Sequence, residues 1–289
     1  MQVSVVVPTF NRPEQLTQAL ASIALQTDPG SPQTPGGWER KTAQPEVIVV
    51  NDGGVDVSDI LDRHRATLKI QYVNLPVNMG LAHARNAGIR RANGNVLCFL
   101  DDDDVMLPGH LRTGLQALAA TEADVVYTQV AVCDQFVAPG AQPAPNQIRA
   151  YYRASFEPRL LHICNFIPVN SVFIRRPASF DETLGLLEDW DLWLRLLVRH
   201  GYRFHAVPVV TAVYHRVPGF GSMTGRAAAV SRFRDTFRTI IDRYPSTDPI
   251  VRSGRAAHET FYNEVAPIDR DSAFSYERFV ESMAHRINT

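Results

Sequence analysis

The sequence predicts an α/β protein: a mixed, mostly parallel sheet flanked by helices, followed by a C-terminal helical appendage. Three observations carry this. Short, uniformly apolar runs alternate with helical patterns through the first half, as a sheet covered on both faces requires. Polar residues gather where those runs end, and in an open α/β sheet the ligand crevice lies outside the carboxyl ends of the strands. The 289 residues, 45% hydrophobic and 20% charged, suffice for one large domain with a smaller addition.

Taken in order, residues 2–7 are a continuous apolar strand, and 13–26 follow with Leu16, Leu20 and Ile23 at helical spacing behind Pro13, a first-turn residue. Residues 28–45, rich in proline and glycine, read as a surface insertion. Strands are expected at 46–50, 69–73 and 95–100, with a helix at 81–93 stopped by Gly94. A helix over 108–120 leads to a strand over 124–132. Further strands are expected at 169–174 and 204–214, separated by a strong helix at 188–200 with Gly201 behind it. Helical patterns near 226–244, 250–265 and 272–287 end the chain, so the expected division is 1–224 and 225–289.

The totals exclude several classes. A net charge of −1 offers no basic field for nucleic acid. No stretch approaches the ~20 apolar residues of a membrane span, and Met1 runs into Val3–Val7 without a charged leader. Cys98, Cys133 and Cys164 form no CxxC pair and read as buried free thiols. The expectation is a cytoplasmic protein, compatible with peripheral membrane contact.

The chemistry concentrates at three strand ends. The first strand runs into Pro8, Thr9, Phe10, Asn11 and Arg12, the second into Asn51, Asp52, Gly53 and Gly54, and the fourth into Asp101, Asp102, Asp103 and Asp104. Alternate residues at a strand end point the same way, so Asp101 and Asp103 are expected on one face and Asp102 and Asp104 on the other. Four adjacent carboxylates repel, and a divalent cation relieves that repulsion; hard oxygen ligands suit Mg²⁺ or Mn²⁺. An EF-hand is excluded because Met106 and Arg112 stand where its glycine and glutamate belong. A dinucleotide fold is excluded because the first turn lacks GxGxxG. Asp191 and Arg195, spaced i,i+4, read as a helix ion pair that leaves Asp189 free.

The segments VVVPTFNRPEQLTQAL, VIVVNDGG, NMGLAHARNAGI, GNVLCFLDDDDVMLPGHL and LEDWDLWLRL occur in this order between residues 5 and 196. Together they resemble the successive motifs of glycosyltransferase family 2, whose fold is GT-A. The resemblance implies a nucleobase and ribose pocket around Pro8, Thr9, Asn11, Arg12 and Asp52. It aligns Asp101 and Asp103 with the DxD signature, so that Asp103 ligates Mn²⁺ or Mg²⁺ and Asp102 lies near the ribose, with the register open by one. Asn78 and Arg85 fall near the donor. Glu188 and Asp189 match an acidic pair whose aspartate is the general base, and His215 matches a late histidine that ligates the metal.

The function implied is an inverting, metal-dependent transfer from a nucleoside-diphosphate sugar, UDP by default, to a hydroxyl of a cell-surface glycan or glycolipid. Two alternatives stand beside it. A sugar nucleotidyltransferase would carry a glycine-rich basic loop after the first strand. A non-catalytic nucleotide-sugar-binding relative would need no base, so Glu188 and Asp189 weigh against it.

Overall fold

The structure is a computed structural model; it describes residues 1–26, 44–175, 178–217, 227–262 and 276–288. All but the end of the expected insertion, residues 218–222 of the glycine-rich loop after His215, and the expected boundary at 224/225 lie outside the described residues.

The chain opens with β1 (Val3–Thr9), α1 (Pro13–Ala24), β2 (Glu46–Asn51), α2 (Ser58–His64), β3 (Lys69–Asn74), α3 (Leu81–Arg91) and β4 (Val96–Phe99). These four strands are parallel, in the spatial order β3-β2-β1-β4. There follow β5 (Val105–Met106), α4 (His110–Ala120), β6 (Val125–Cys133), β7 (Ile148–Tyr152) and α5 (Pro158–Ile163). Next come β8 (Val172–Arg175), α6 (Glu188–His200), β9 (Phe204–His215), α7 (Ala227–Arg243), α8 (Pro249–Thr260) and α9 (Tyr276–Asn288). The sheet continues past β4 as β8, β6, β9, β5, with β7 paired to β6. Here β8 is antiparallel to both neighbours, while β9 runs parallel to β6.

The apolar strands are apolar throughout because each face meets a different layer. On β1, Val6 faces one core while Val5 and Val7 face the other; Ile48 and Val50 alternate with Val47 and Val49 on β2, and Leu97 and Phe99 with Val96 and Cys98 on β4. One layer holds Leu16, Leu20 and Ile23 of α1 and Leu111 and Leu118 of α4. The other holds α3, α5 and α6 together with Phe237, Ile240, Val251, Val280 and Met283 of α7–α9. The C-terminal helices thus share a core with the sheet. Among the described residues no helix is long and apolar enough to cross a membrane.

Two glycines explain how α3 sits. A Cβ on Gly88 would lie 2.4 Å from Val6 Cγ1, so the helix approaches β1 closely over Ala84, Ala87 and Gly88. Gly94 does not act as the left-handed residue expected behind this helix. Its side-chain position is filled by β1, where a Cβ would come within 2.6 Å of Ser4 Oγ and 2.8 Å of Gln2 O. Elsewhere, residues 169–171 form a 3₁₀ turn ahead of β8, and α4 begins at His110 rather than Pro108.

Glu46 ties these elements together. It is buried at the start of β2 and accepts from Ser4 Oγ (2.5 Å), Asn93 N (2.8 Å), Asn93 Nδ2 (2.7 Å) and Gln71 Nε2 (2.6 Å). Burial works against the charge, but the bonds from Ser4, Asn93 and Gln71 outweigh it and hold the carboxyl below its ordinary value. A lowered value stabilises the fold above the unfolded-state pKa, and that contribution fades as pH falls through the folded-state value. Glu46→Ala should cost at least about 2 kcal/mol at pH 7, because buried donors lose a charged acceptor. Urea denaturation at pH 7 and pH 4 should find a smaller deficit in acid; an equal deficit would mean that the charge contributes nothing.

Candidate active site

Strand β4 ends at Phe99, and the four aspartates beyond it form a tight turn closed by the Asp104 N–H donating to the Asp101 carbonyl at 3.1 Å. The chain thus turns rather than continuing the strand, yet burial still alternates as expected, with Asp101 and Asp103 part-exposed and Asp102 and Asp104 buried. Asp102 and Asp103 share one partner, Arg12 Nη1, at 3.0 and 2.7 Å. Thr9, the last residue of β1, donates its hydroxyl to Asp102 Oδ2 at 2.7 Å. Asp101 pairs instead with Arg85 Nη2 at 2.6 Å. Asp104 is buried, accepting from Asn170 Nδ2 at 2.8 Å and from the His215 N–H at 2.9 Å. Burial and the neighbouring Asp103 push the Asp102 carboxyl up to about 6, against Arg12 and Thr9. Asp103, the most exposed of the four at 31%, is also raised, by burial opposed by Arg12 and aided by Asp101.

The ends of β1 and β2 form the adjoining wall. Pro8 is buried within β1, level with Val50, and Asn11 is exposed with φ 55°, its Oδ1 accepting from the Val55 N–H at 2.9 Å. Asp52 is buried and accepts the backbone N–H groups of Met79 (2.8 Å) and Gly80 (2.9 Å), clamping the start of α3. Gly53, at φ 72°, lets that clamp close, because a Cβ there would lie 2.6 Å from Asn78 N. Asn78 itself is exposed on the rim. Its chain neighbours Val77 and Met79 are exposed too, as are Phe10 and Val55.

Helix α3 delivers Arg85 beneath the turn. The side chain is buried, donates Nη1 to Glu188 Oε1 at 2.5 Å as well as Nη2 to Asp101, and lies 5.2 Å from the Phe180 ring centroid. One guanidinium therefore joins the end of β4 to the start of α6. Leu187, with φ 57°, turns the chain into that helix. Asp189 follows, its Oδ2 accepting from Asn165 Nδ2 at 2.8 Å and its Oδ1 from the Trp190 N–H at 2.8 Å. Burial, then the charge of Glu188, lifts its carboxyl to about 7, with Arg85 and Asn165 opposing. Asp191 is more than the expected helix pair. Arg195 Nε stands off at 3.7 Å, while Arg243 Nη1 at 3.1 Å and the Tyr244 hydroxyl at 3.2 Å bind the carboxylate from α7.

His215 ends β9 directly behind the aspartate turn. Its Nδ1 donates to the Asp103 carbonyl at 2.6 Å and its Nε2 accepts from the Val137 N–H at 3.0 Å. Both ring nitrogens are engaged in a neutral imidazole, whose pKa burial lowers. In this arrangement the ring braces the turn; ligating an ion requires it to release Val137.

Asp101, Asp102, Asp103, Asp104, Glu188 and Asp189 face only Arg12 and Arg85 as paired cations in the contacts above. An excess of hard oxygen donors at a strand end suits a divalent cation. Among the described residues no three ligating side chains converge on one point. An ion would be held by one or two carboxylates, with Asp103 the most accessible, and by oxygens of a bound phosphate. Sequence reasoning missed Asn165 and Asn170, polar residues inside the apolar stretch 163–174.

The family model described as Glycosyl transferase family 2 matches residues 4–179. The chain is 29% identical over 219 residues to the uncharacterized glycosyltransferase YwdF of Bacillus subtilis, covering 74% of each. It is 25% identical over 252 residues to WcaA, a putative colanic acid biosynthesis glycosyl transferase of Escherichia coli, covering 84% of this chain and 82% of that one. Against Erwinia amylovora AmsB, an amylovoran biosynthesis glycosyltransferase, identity is 26%, covering 76% of this chain and 71% of AmsB. Two solved structures share the fold. S. aureus TarS with UDP-GlcNAc gives a TM-score of 0.60 at 18% identity, over 100% of this chain and 72% of that one. The mannosyltransferase PcManGT of Pyrobaculum calidifontis with GDP-Man and Mn²⁺ gives 0.61 at 19%, over 99% and 75%. The aspartate turn and the start of α3 lie inside the family match, and with the sheet order they lead to one conclusion: the chain belongs to glycosyl transferase family 2, is a glycosyltransferase and has the GT-A fold.

Proposed function

We propose that the enzyme transfers a sugar from a nucleoside-diphosphate donor to an acceptor hydroxyl in one displacement, inverting the anomeric carbon, with Asp189 as the base. The observation that carries this reading is the Asp189 carboxyl itself. It opens α6, is oriented by two hydrogen bonds and is lifted to about 7, where a carboxylate both exists at neutral pH and accepts a proton well. Asp189 removes the acceptor proton as the hydroxyl attacks, and the nucleoside diphosphate departs toward the aspartate turn.

Thr9, Asn11, Arg12 and Asp52 line the nucleoside side, with Asp52 acting by holding the start of α3, and Asn78 at the rim. Asp102 lies toward the ribose, and Arg85, Asp101 and Glu188 link donor side to base side. Asp103 would hold Mn²⁺ or Mg²⁺, joined by His215 if its ring releases Val137; the ion supplies charge neutralisation for the diphosphate. UDP is the favoured nucleotide, although the similar solved structures contain UDP-GlcNAc in one case and GDP-Man in the other. The amylovoran and colanic acid relatives support a surface glycan or glycolipid acceptor. Buried, unpaired Cys98, Cys133 and Cys164 support a cytoplasmic setting.

Thermal unfolding with UDP, GDP and dTDP, each with and without Mn²⁺, tests the donor reading. A nucleotide at 100 times its Kd adds about 2.7 kcal/mol, a rise of several degrees for a chain of this size. Asp103→Asn should remove the Mn²⁺-dependent part while leaving the midpoint without ligand nearly unchanged, and His215→Ala should weaken it less. Failure of all three nucleotides in the presence of metal would sink the donor reading.

A further inference from the structure

The base depends on a loop outside the aspartate site. Residues 161–167 leave the C-terminal end of α5, where helix carbonyls run out of backbone partners. Side chains from two other helices take them up. Trp190 Nε1 of α6 donates to Leu161 O at 2.7 Å, Arg255 Nε of α8 to His162 O at 2.8 Å, and His258 Nδ1 of α8 to Ile163 O at 2.8 Å. The next free group is the Asn165 N–H, which donates to the Tyr276 hydroxyl of α9 at 3.0 Å. With its backbone held this way, Asn165 presents Nδ2 to Asp189 Oδ2 at 2.8 Å.

We propose that Asn165 is the positioning residue of the base, and that α8 and α9 form part of the catalytic apparatus by fixing the loop that carries it. This rests on Asp189 being the base. Asn165 can donate two hydrogens but accept no proton, so it anchors Oδ2 while the Trp190 N–H holds Oδ1, and the proton-accepting role stays with Asp189. Because the bond is made to the charged carboxylate, it also favours ionisation, opposing burial and Glu188. The other charged group facing Asp189 is Arg85 from α3, which favours ionisation too; Tyr262, just past α8, is a neutral phenol whose own ionisation Asp189 opposes. None of Arg255, His258 and Tyr276 belongs to the stretch matched by the family model, so this support is supplied by the C-terminal part of the chain. His258 is suited to its place: it is buried, ringed by Phe237, Tyr262 and Phe279, and held neutral by burial at a pKa of about 4, so it adds no charge near the base.

The test is a carboxyl-¹³C titration of aspartate-labelled full-length protein, with the Asp189 signal assigned by its loss in Asp189→Asn. It is accompanied by the pH profile of nucleoside diphosphate release from UDP-GlcNAc and from GDP-mannose. Asn165→Leu should move the Asp189 midpoint, and with it the acid limb of the profile, upward by about one pH unit. Tyr276→Phe should move both in the same direction by less, with donor KM unaltered. A purely structural role would lower the melting temperature and leave both midpoints in place, and that result would overturn the proposal. If Asn165→Leu does not fold, Tyr276→Phe decides by the same criterion. If the Asp189 midpoint moves as expected but Asp189→Asn releases nucleotide at the wild-type rate, the reading of Asp189 as base fails while the Asn165 contact stands.

Discussion

Asp189→Asn should reduce single-turnover transfer at saturating donor by about 10²–10⁴, the range for loss of a general base. That is roughly 3–5 kcal/mol in the barrier. Donor and metal binding should survive, since the amide matches the carboxylate in size and its oxygen can still accept from Asn165 Nδ2. The wild-type profile should rise with pH through about 7, because only the deprotonated carboxyl acts as base. Stability runs the other way. A carboxyl whose folded-state value lies above its unfolded value favours folding below the unfolded pKa, and that gain is lost as pH rises through about 7. The asparagine variant, free of a buried charge, should therefore be no less stable than wild type at pH 8. The contrasting variant is Asp191→Asn. It removes the charge from the contacts with Arg243 and Tyr244 that fasten α7 to α6, so it should lose a modest amount of stability and keep most of its turnover. An inactive Asp191→Asn beside an active Asp189→Asn would move the base by two residues.

What could be read from the sequence was whatever depends on local periodicity and on strand ends. The runs at 46–50 and 69–73 became β2 and β3 within a residue at their ends; β2 is buried throughout, and β3, at the edge of the sheet, is part-buried beside it. Thr9, Arg12 and the aspartates meet because parallel strands deliver their carboxyl ends to one edge. Local reasoning failed where a partner is distant. The grouping of Asp101 with Asp103 and of Asp102 with Asp104 could be read, but not the turn, closed between Asp104 and Asp101, that produces it. Asp52 could be placed at the end of its strand, but not the backbone groups of residues 79 and 80 that it accepts, 27 and 28 residues away. The position of His215 could be read at the end of its strand, but the Val137 N–H that occupies its Nε2 comes from 78 residues away. Short elements such as β5, β7 and α5 carry too few residues for a periodic signal, and α5 is the one that leads to Asn165.

The stability of this arrangement should depend most on Arg85. Its guanidinium is buried and divides its charge between Asp101 and Glu188, the latter also buried, while its Nε makes no hydrogen bond among the described residues. Two carboxylates near one another and near Asp189 are tolerable only with that cation between them. Removing one member of a buried ionic set leaves the rest uncompensated and costs about 3–5 kcal/mol. Arg85→Met, which keeps most of the apolar stem, should therefore lower the unfolding midpoint by on the order of 10 °C. Lysine should rescue little, since one ammonium cannot replace a fork that reaches two carboxylates at once. Adding Glu188→Gln to Arg85→Met should recover part of the loss, because it deletes one of the stranded charges. The same substitution should raise the Asp189 carboxyl above about 7, as Arg85 opposes that rise, so any residual activity should shift to higher pH. Urea denaturation of the two single variants and the double variant closes the cycle. If the losses simply add, the charges are not coupled through Arg85, and the guanidinium is only packing against the Phe180 ring.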